Sequence, residues 1–227
     1  MDSALFSREP SSEPLSTPAQ AVNPCPAPVS VGNQFPLQGE LNVVPQRCVV
    51  REISFLMDSD GLQFLYRDPT PGFDLEGPDI DPVVQPLIGT SFPAALGLTG
   101  AGLGSAETPL DLGLAGGRGP AFLVFKLDRR LNWRFSRALP AVTHKNGADS
   151  AHYGGLTYVS DGGAYSREPM ADCRLVFFKA NPPTEDYRHG FNFNVELIQR
   201  PHFGEVEARV LPITIDPDIR FPGGSES

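Results

Sequence analysis

The chain has 227 residues, 40% of them hydrophobic and 20% charged, a balance that excludes wholesale disorder and collagen-like repetition and leaves one large domain or one ordinary domain with appendages. Its 24 prolines and 23 glycines leave little room for long helices, which excludes a helical bundle and favours short strands joined by turns. A net charge of -9 opposes nonspecific binding to nucleic acid or to anionic membranes, so neither double-stranded nucleic acid nor a membrane is expected as a partner.

The first residues carry Asp2 where a signal peptide needs positive charge, and Pro10 and Pro14 interrupt before an apolar core can form. No stretch reaches the ~20 apolar residues that span a bilayer. Cys25, Cys48 and Cys173 are an odd set without CxxC spacing, which signals neither a disulfide framework nor a thiolate zinc site and fits a reducing cytoplasm. Residues 1–37 are a Pro/Ser-rich arm. Repeated prolines preset it to extended conformations, and it has too little apolar surface to fold alone. It is expected to be disordered or docked on a partner, with Phe6, Val29 and Phe35, among its bulkiest side chains, as anchors.

The folded domain is expected over 38–220, with a short tail at 221–227. Cys48 to Met57 and Leu62 to Tyr66 read as two strands joined by a tight turn, because Asp60-Gly61 tolerates positive φ. Asp58 and Asp60 resemble the opening of a calcium loop, but the closing Glu is missing and the hairpin explains them better. An acidic loop follows with Asp74, Glu76, Asp79 and Asp81. Its Asp-Pro pairs initiate turns; with Asp216 and Asp218 its carboxylates could also ligate Ca²⁺. Residues 87–120 form a Gly-rich insertion whose glycines discourage a helix.

Strand pattern returns at Ala121 to Leu127, apolar on both faces as in a central strand. It continues at Leu131 to Phe135, weakly at Leu156 to Val159, at Cys173 to Lys179, at Phe191 to Leu197 and at Val206 to Leu211, running on to Ile215. Phe191 to Leu197 alternates apolar and polar residues, which predicts one face inward and one toward solvent. The fold class is therefore all-β, a β-sandwich of about 7–9 mostly antiparallel strands, with a barrel as the alternative. Phe122, Val124, Val176, Phe193, Val195 and Leu197 are its expected core.

Motifs for phosphate chemistry are missing. Gly100 to Ser105 lacks the third glycine of GxGxxG, and neither GxxxxGK[ST] nor GxSxG occurs. No cofactor is expected, and the reading leans away from an enzyme. His144 and His152 flank a turn at Asn146-Gly147, so they could face each other across a hairpin and hold a metal with Asp149 or Asp161; hydrogen-bonded loop histidines are the commoner case. His189 and His202 stand apart in sequence. Between Lys126 and Arg137, five basic residues surround the only tryptophan. Arg129, Arg130, Trp133, Arg134 and Arg137 could grip an anionic ligand through guanidinium forks and a stacking ring. The competing expectation turns Trp133 and Phe135 inward and leaves the arginines to pair the surplus carboxylates.

The segment from Gly190 to Leu197, followed by Leu211 to Gly224 with its Asp216-Pro217-Asp218 ending, resembles the closing part of small bacterial β-rich proteins often labelled "nucleotide synthetase", with a fainter similarity to inclusion-body proteins. The resemblance covers roughly the last forty residues, transfers no catalytic residue, and implies a cytoplasmic bacterial β-sandwich of unsettled role. Taken together, the expected function is noncatalytic: a sandwich that binds a protein partner or copies of itself. The alternative is a metal-dependent or anionic-ligand-binding protein using the acidic loops or residues 126–137.

Overall fold

The structure is a computed structural model that describes residues 33–58, 61–67, 75–76, 79–88, 110–111, 119–128, 132–181, 187–199, 201, 208–215 and 218–221. Its strands form two sheets, as an all-β sandwich requires. The first contains β1 (Phe35–Pro36), β5 (Leu110–Asp111), β7 (Trp133–Phe135), β8 (Val142–His144), β12 (Tyr187–Gln199), β13 (Arg209–Ile215) and β14 (Asp218–Phe221). The second runs β10 (Tyr165–Ser166), β9 (Tyr153–Val159), β11 (Leu175–Ala180), β6 (Ala121–Leu127), β2 (Arg47–Asp58) and β3 (Gly61–Arg67), with β4 (Leu75–Glu76) also on β2. Pairing is antiparallel except for β2 on β6 and β5 on β14.

The expected hairpin is present: β2 and β3 pair until Asp58 lies opposite Gly61, although the turn residue Asp60 lies outside the described residues. β6 is buried along its whole length between β11 and β2, which is why both of its faces are apolar. Ala121, Leu123, Phe125 and Leu127 face the first sheet, where Phe191, Phe193 and Val195 of β12 meet them. Phe122 and Val124 face the other way, toward a short helix. Of the expected core, Phe122, Val124, Val176, Phe193 and Val195 are buried, while Leu197 is only partly so.

That helix, α1 (Asp81–Leu87), corrects the reading of Asp79 to Pro82 as a turn. Pro82 stands in the first helical turn, where a missing amide proton costs nothing. Val83, Val84 and Leu87 then share one face and cover Cys48, Val50 and Phe177, so the second sheet is sandwiched on both sides.

A second correction concerns β12. Its polar residues were expected in solvent, yet Asn192, Asn194 and Glu196 are buried. Buried polar groups need partners, and the chain supplies them. The Gln34 side chain accepts from Asn194 at 3.0 Å and donates back to it at 3.2 Å. Thr143 and Thr214 complete that patch. Glu196 is gripped from the other side by the segment after β7.

β9 shows why its sequence pattern looked weak. Gly155 has φ +73°, and the register with β11 shifts there. The bulge reverses the alternation, so Tyr153 and Tyr158 both reach the core between the sheets.

Candidate functional site

The densest chemistry lies where β8, β9 and β12 meet. His144 ends β8 and His189 lies near the start of β12, which pairs antiparallel to β8. A single 3-10 turn, Asp149–His152, delivers His152 and then Tyr153. The turn at Asn146-Gly147 therefore connects the two sheets instead of closing a hairpin, but it still brings His144 and His152 into one cluster. His189, which sequence spacing left apart, is its centre.

The Tyr153 hydroxyl and Nδ1 of His189 share a hydrogen bond of 2.5 Å. His144 packs its ring 4.7 Å from Tyr153 and 4.1 Å from Phe191. His152 lies 5.5 Å from His189. Its Nδ1 donates to the carbonyl of Asn181 at 3.0 Å, which fixes the tautomer and leaves Nε2 as the basic nitrogen. Burial pushes His144 down to about 3, and the neighbouring His189 and His152 push in the same direction. Burial likewise lowers His189 to about 4, against an opposing pull from Asp149. At neutral pH His144 and His189 are therefore uncharged imidazoles packed against a phenol. His144, Tyr153 and His189 are at most 1% exposed, so only His152 meets solvent.

The other predicted sites resolve differently. Arg134 and Trp133 are buried. Nε of Arg134 donates to Glu196 at 2.8 Å and its Nη1 lies 3.2 Å from Asp172. Glu196 also accepts from Ser136 Oγ at 3.3 Å and from the Arg137 amide at 3.0 Å. Burial works to raise the Glu196 carboxyl, but the Arg137 amide, Arg134 and Ser136 outweigh it and hold it below the ordinary value. Arg134 thus pairs a carboxylate inside the protein, where an outward position was expected, while Arg137 is exposed at 4.0 Å from the same Glu196. Arg129 and Arg130 lie outside the described residues.

Of the acidic candidates, Asp74 lies outside the described residues and Glu76 falls in β4. Asp79 Oδ1 accepts the Asp81 amide at 3.1 Å, and Asp81 accepts the Tyr165 hydroxyl at 2.6 Å. Both serve the start of α1. Among the described residues no group of three or more His, Cys, Asp or Glu side chains is placed so that it could hold a metal ion. Phe6 and Val29 lie outside them too. Phe35 pairs with His144 of its own chain and remains 40% exposed, so a contact with a neighbour would have to use that remaining surface. No helix among the described residues is long and apolar enough to cross a membrane.

Fold and clusters define a two-sheet β-sandwich whose second sheet is covered on its far face by one helix. Residues 118–224 match the model of a family described as a predicted novel nucleotide synthetase. The resemblance read near the C-terminus thus extends back to the start of β6. No curated protein and no solved structure matches the chain.

Proposed function

We propose that the chain is an enzyme-like protein that handles a nucleotide-class ligand. The observation that carries this reading is the number of ionisable side chains buried within the matched segment. Lys126, Asp128, His144 and His189 are each at most 3% exposed. Removing such groups from water costs several kcal/mol for an ion and forces imidazoles neutral. Functional sites make use of such burial to set the charge state of their groups. The family's description supports the same class of ligand.

The test is calorimetric titration of the full chain with purine and pyrimidine mono- and triphosphates. Saturable binding of at least one is expected. Absence of heat with all of them overturns the reading.

A second reading, the noncatalytic self-binding sandwich, is favoured by one observation. Val210 and Leu211 on β13 are exposed by 42% and 43%, and β13 pairs only with β12 among the described strands. Exposed edges template further pairing. Native mass spectrometry that shows an oligomer dissociated by Leu211→Lys would favour it.

A further inference from the structure

Before β2 the chain runs from the edge of one sheet to the edge of the other, and it crosses at the histidine cluster. Phe35 and Pro36 pair with β8 opposite His144 and Thr143. Two residues further on, the Gln38 amide donates to the carbonyl of Tyr153 at 3.1 Å, and the Gln38 carbonyl accepts the Gly155 amide at 2.9 Å. The segment has by then reached β9. Between the two attachments Leu37 is partly buried and packs on the core that the sheets share. The residues it attaches to, His144 and Tyr153, belong to the cluster, and both are fully buried.

The hold on this strap is light. Phe35, Pro36, Gln38, Gly39 and Glu40 are exposed. Its leading end is latched by a side chain: the Gln34 amide group exchanges bonds with the Asn194 side chain and accepts from Thr143 Oγ1 at 3.4 Å, bonds that water can replace. The trailing end is anchored more firmly. Leu41 is buried, and Lys179 Nζ donates to the carbonyls of Leu41 and Val43 at 3.4 and 3.3 Å. Between crossing and anchor stands Gly39, where a Cβ would meet no atom of the described residues within 4 Å, so the chain can bend there without a clash. A segment with few buried apolar contacts and an exposed backbone opens for much less free energy than the whole domain unfolds.

We propose that residues 34–38 are a gate over the histidine cluster, latched by Gln34 and hinged at Gly39, which swings away to admit the ligand between β8 and β9. Closed, it seals the Tyr153–His189 pair from solvent. Open, it frees the edges of β8 and β9 that it now bridges, and the cluster becomes reachable while the rest of the sandwich stays folded. The inference rests on the nucleotide reading for what enters, whereas the opening itself does not depend on it.

The experiment treats the full chain with diethyl pyrocarbonate, which acylates neutral imidazoles, and reads each histidine by peptide mass spectrometry at urea concentrations below the unfolding transition. His152 should react fast and serves as the solvent-facing reference. His144 and His189 should react slowly, with a urea dependence far shallower than that of global unfolding, because a local opening exposes little surface. Gln34→Ala and Leu37→Ala should each raise those two rates about tenfold relative to His152 while the urea dependence stays shallow. Both variants should tighten nucleoside mono- and triphosphates by a similar factor in calorimetry, since apparent affinity scales with the open fraction. Reaction of His144 and His189 with the full urea slope of global unfolding overturns the gate, whether or not nucleotides bind. Shallow, variant-sensitive reaction without nucleotide binding keeps the gate and overturns the nucleotide reading. Nucleotide binding that ignores both substitutions overturns the gate as the way in and leaves the nucleotide reading standing.

Discussion

Strand β12 carries two buried polar clusters that meet the cost of burial in opposite ways. At its start, burial outweighs the pull of Asp149 and makes His189 neutral. Seven positions on along the same strand stands Glu196, buried as well, which keeps its charge because the Arg137 amide, Arg134 at 2.8 Å and Ser136 outweigh its burial. Identical backbone, similar depth and opposite ionisation show that the partner decides the charge state, and depth only sets the stakes.

The largest effect expected from this contrast is an acid lability that belongs to the histidine end. The ordinary imidazole value is 6.5, and His144 and His189 fall to about 3 and about 4 in the fold. As pH drops below 6.5 the unfolded chain takes up protons that the folded chain refuses. Stability present above that pH is therefore lost progressively toward pH 4, on the order of 5 kcal/mol. Urea midpoints at pH 7 and pH 4.5 should show the loss, and His144→Phe should flatten it. The Glu196 carboxyl also loses stability on acidification, but below its ordinary value of 4.5, so the two ends separate in pH.

Next comes the charged end. Arg134→Met strands a buried carboxylate and should cost about 3–5 kcal/mol by denaturant unfolding at pH 7. Combining it with Glu196→Leu should restore most of that loss; a double variant as weak as the single one would mean that the pair matters for its packing alone. A smaller effect tests how Tyr153 is delivered to the histidines. Gly155→Ala forces a side chain into φ +73° and within 3.0 Å of Arg167, which should cost about 1–3 kcal/mol in thermal unfolding. The smallest is Asp172→Gly. It removes a pairing whose carboxylate is mostly exposed but relieves φ 57° at that residue, and the net change should stay within about 0.5 kcal/mol.

Strands announced themselves in the sequence wherever the core demanded strict patterning, as in β6 and in the apolar half of β12. The polar half of β12 was misleading because alternation says which residues share a face, and not what covers it. Gln34, Arg134 and Ser136 come from distant segments to bury Asn194 and Glu196. The histidine cluster was half visible for the same reason. His144 and His152 are near in sequence, but His189 joins them only because β12 pairs with β8.

The parallel ladder between β2 and β6 has a kinetic consequence. Arg47 lies opposite Ala121, and the register holds through Ile53 opposite Leu127. The β2–β3 hairpin is local and forms from neighbouring residues, but its only way into the sheet is across a long closed loop whose entropy must be met before any ladder bond is gained. β6, β9 and β11 are joined by much shorter connections. They make the surface onto which the hairpin, with Arg47, Cys48 and Val50, is expected to dock later, completing the far core.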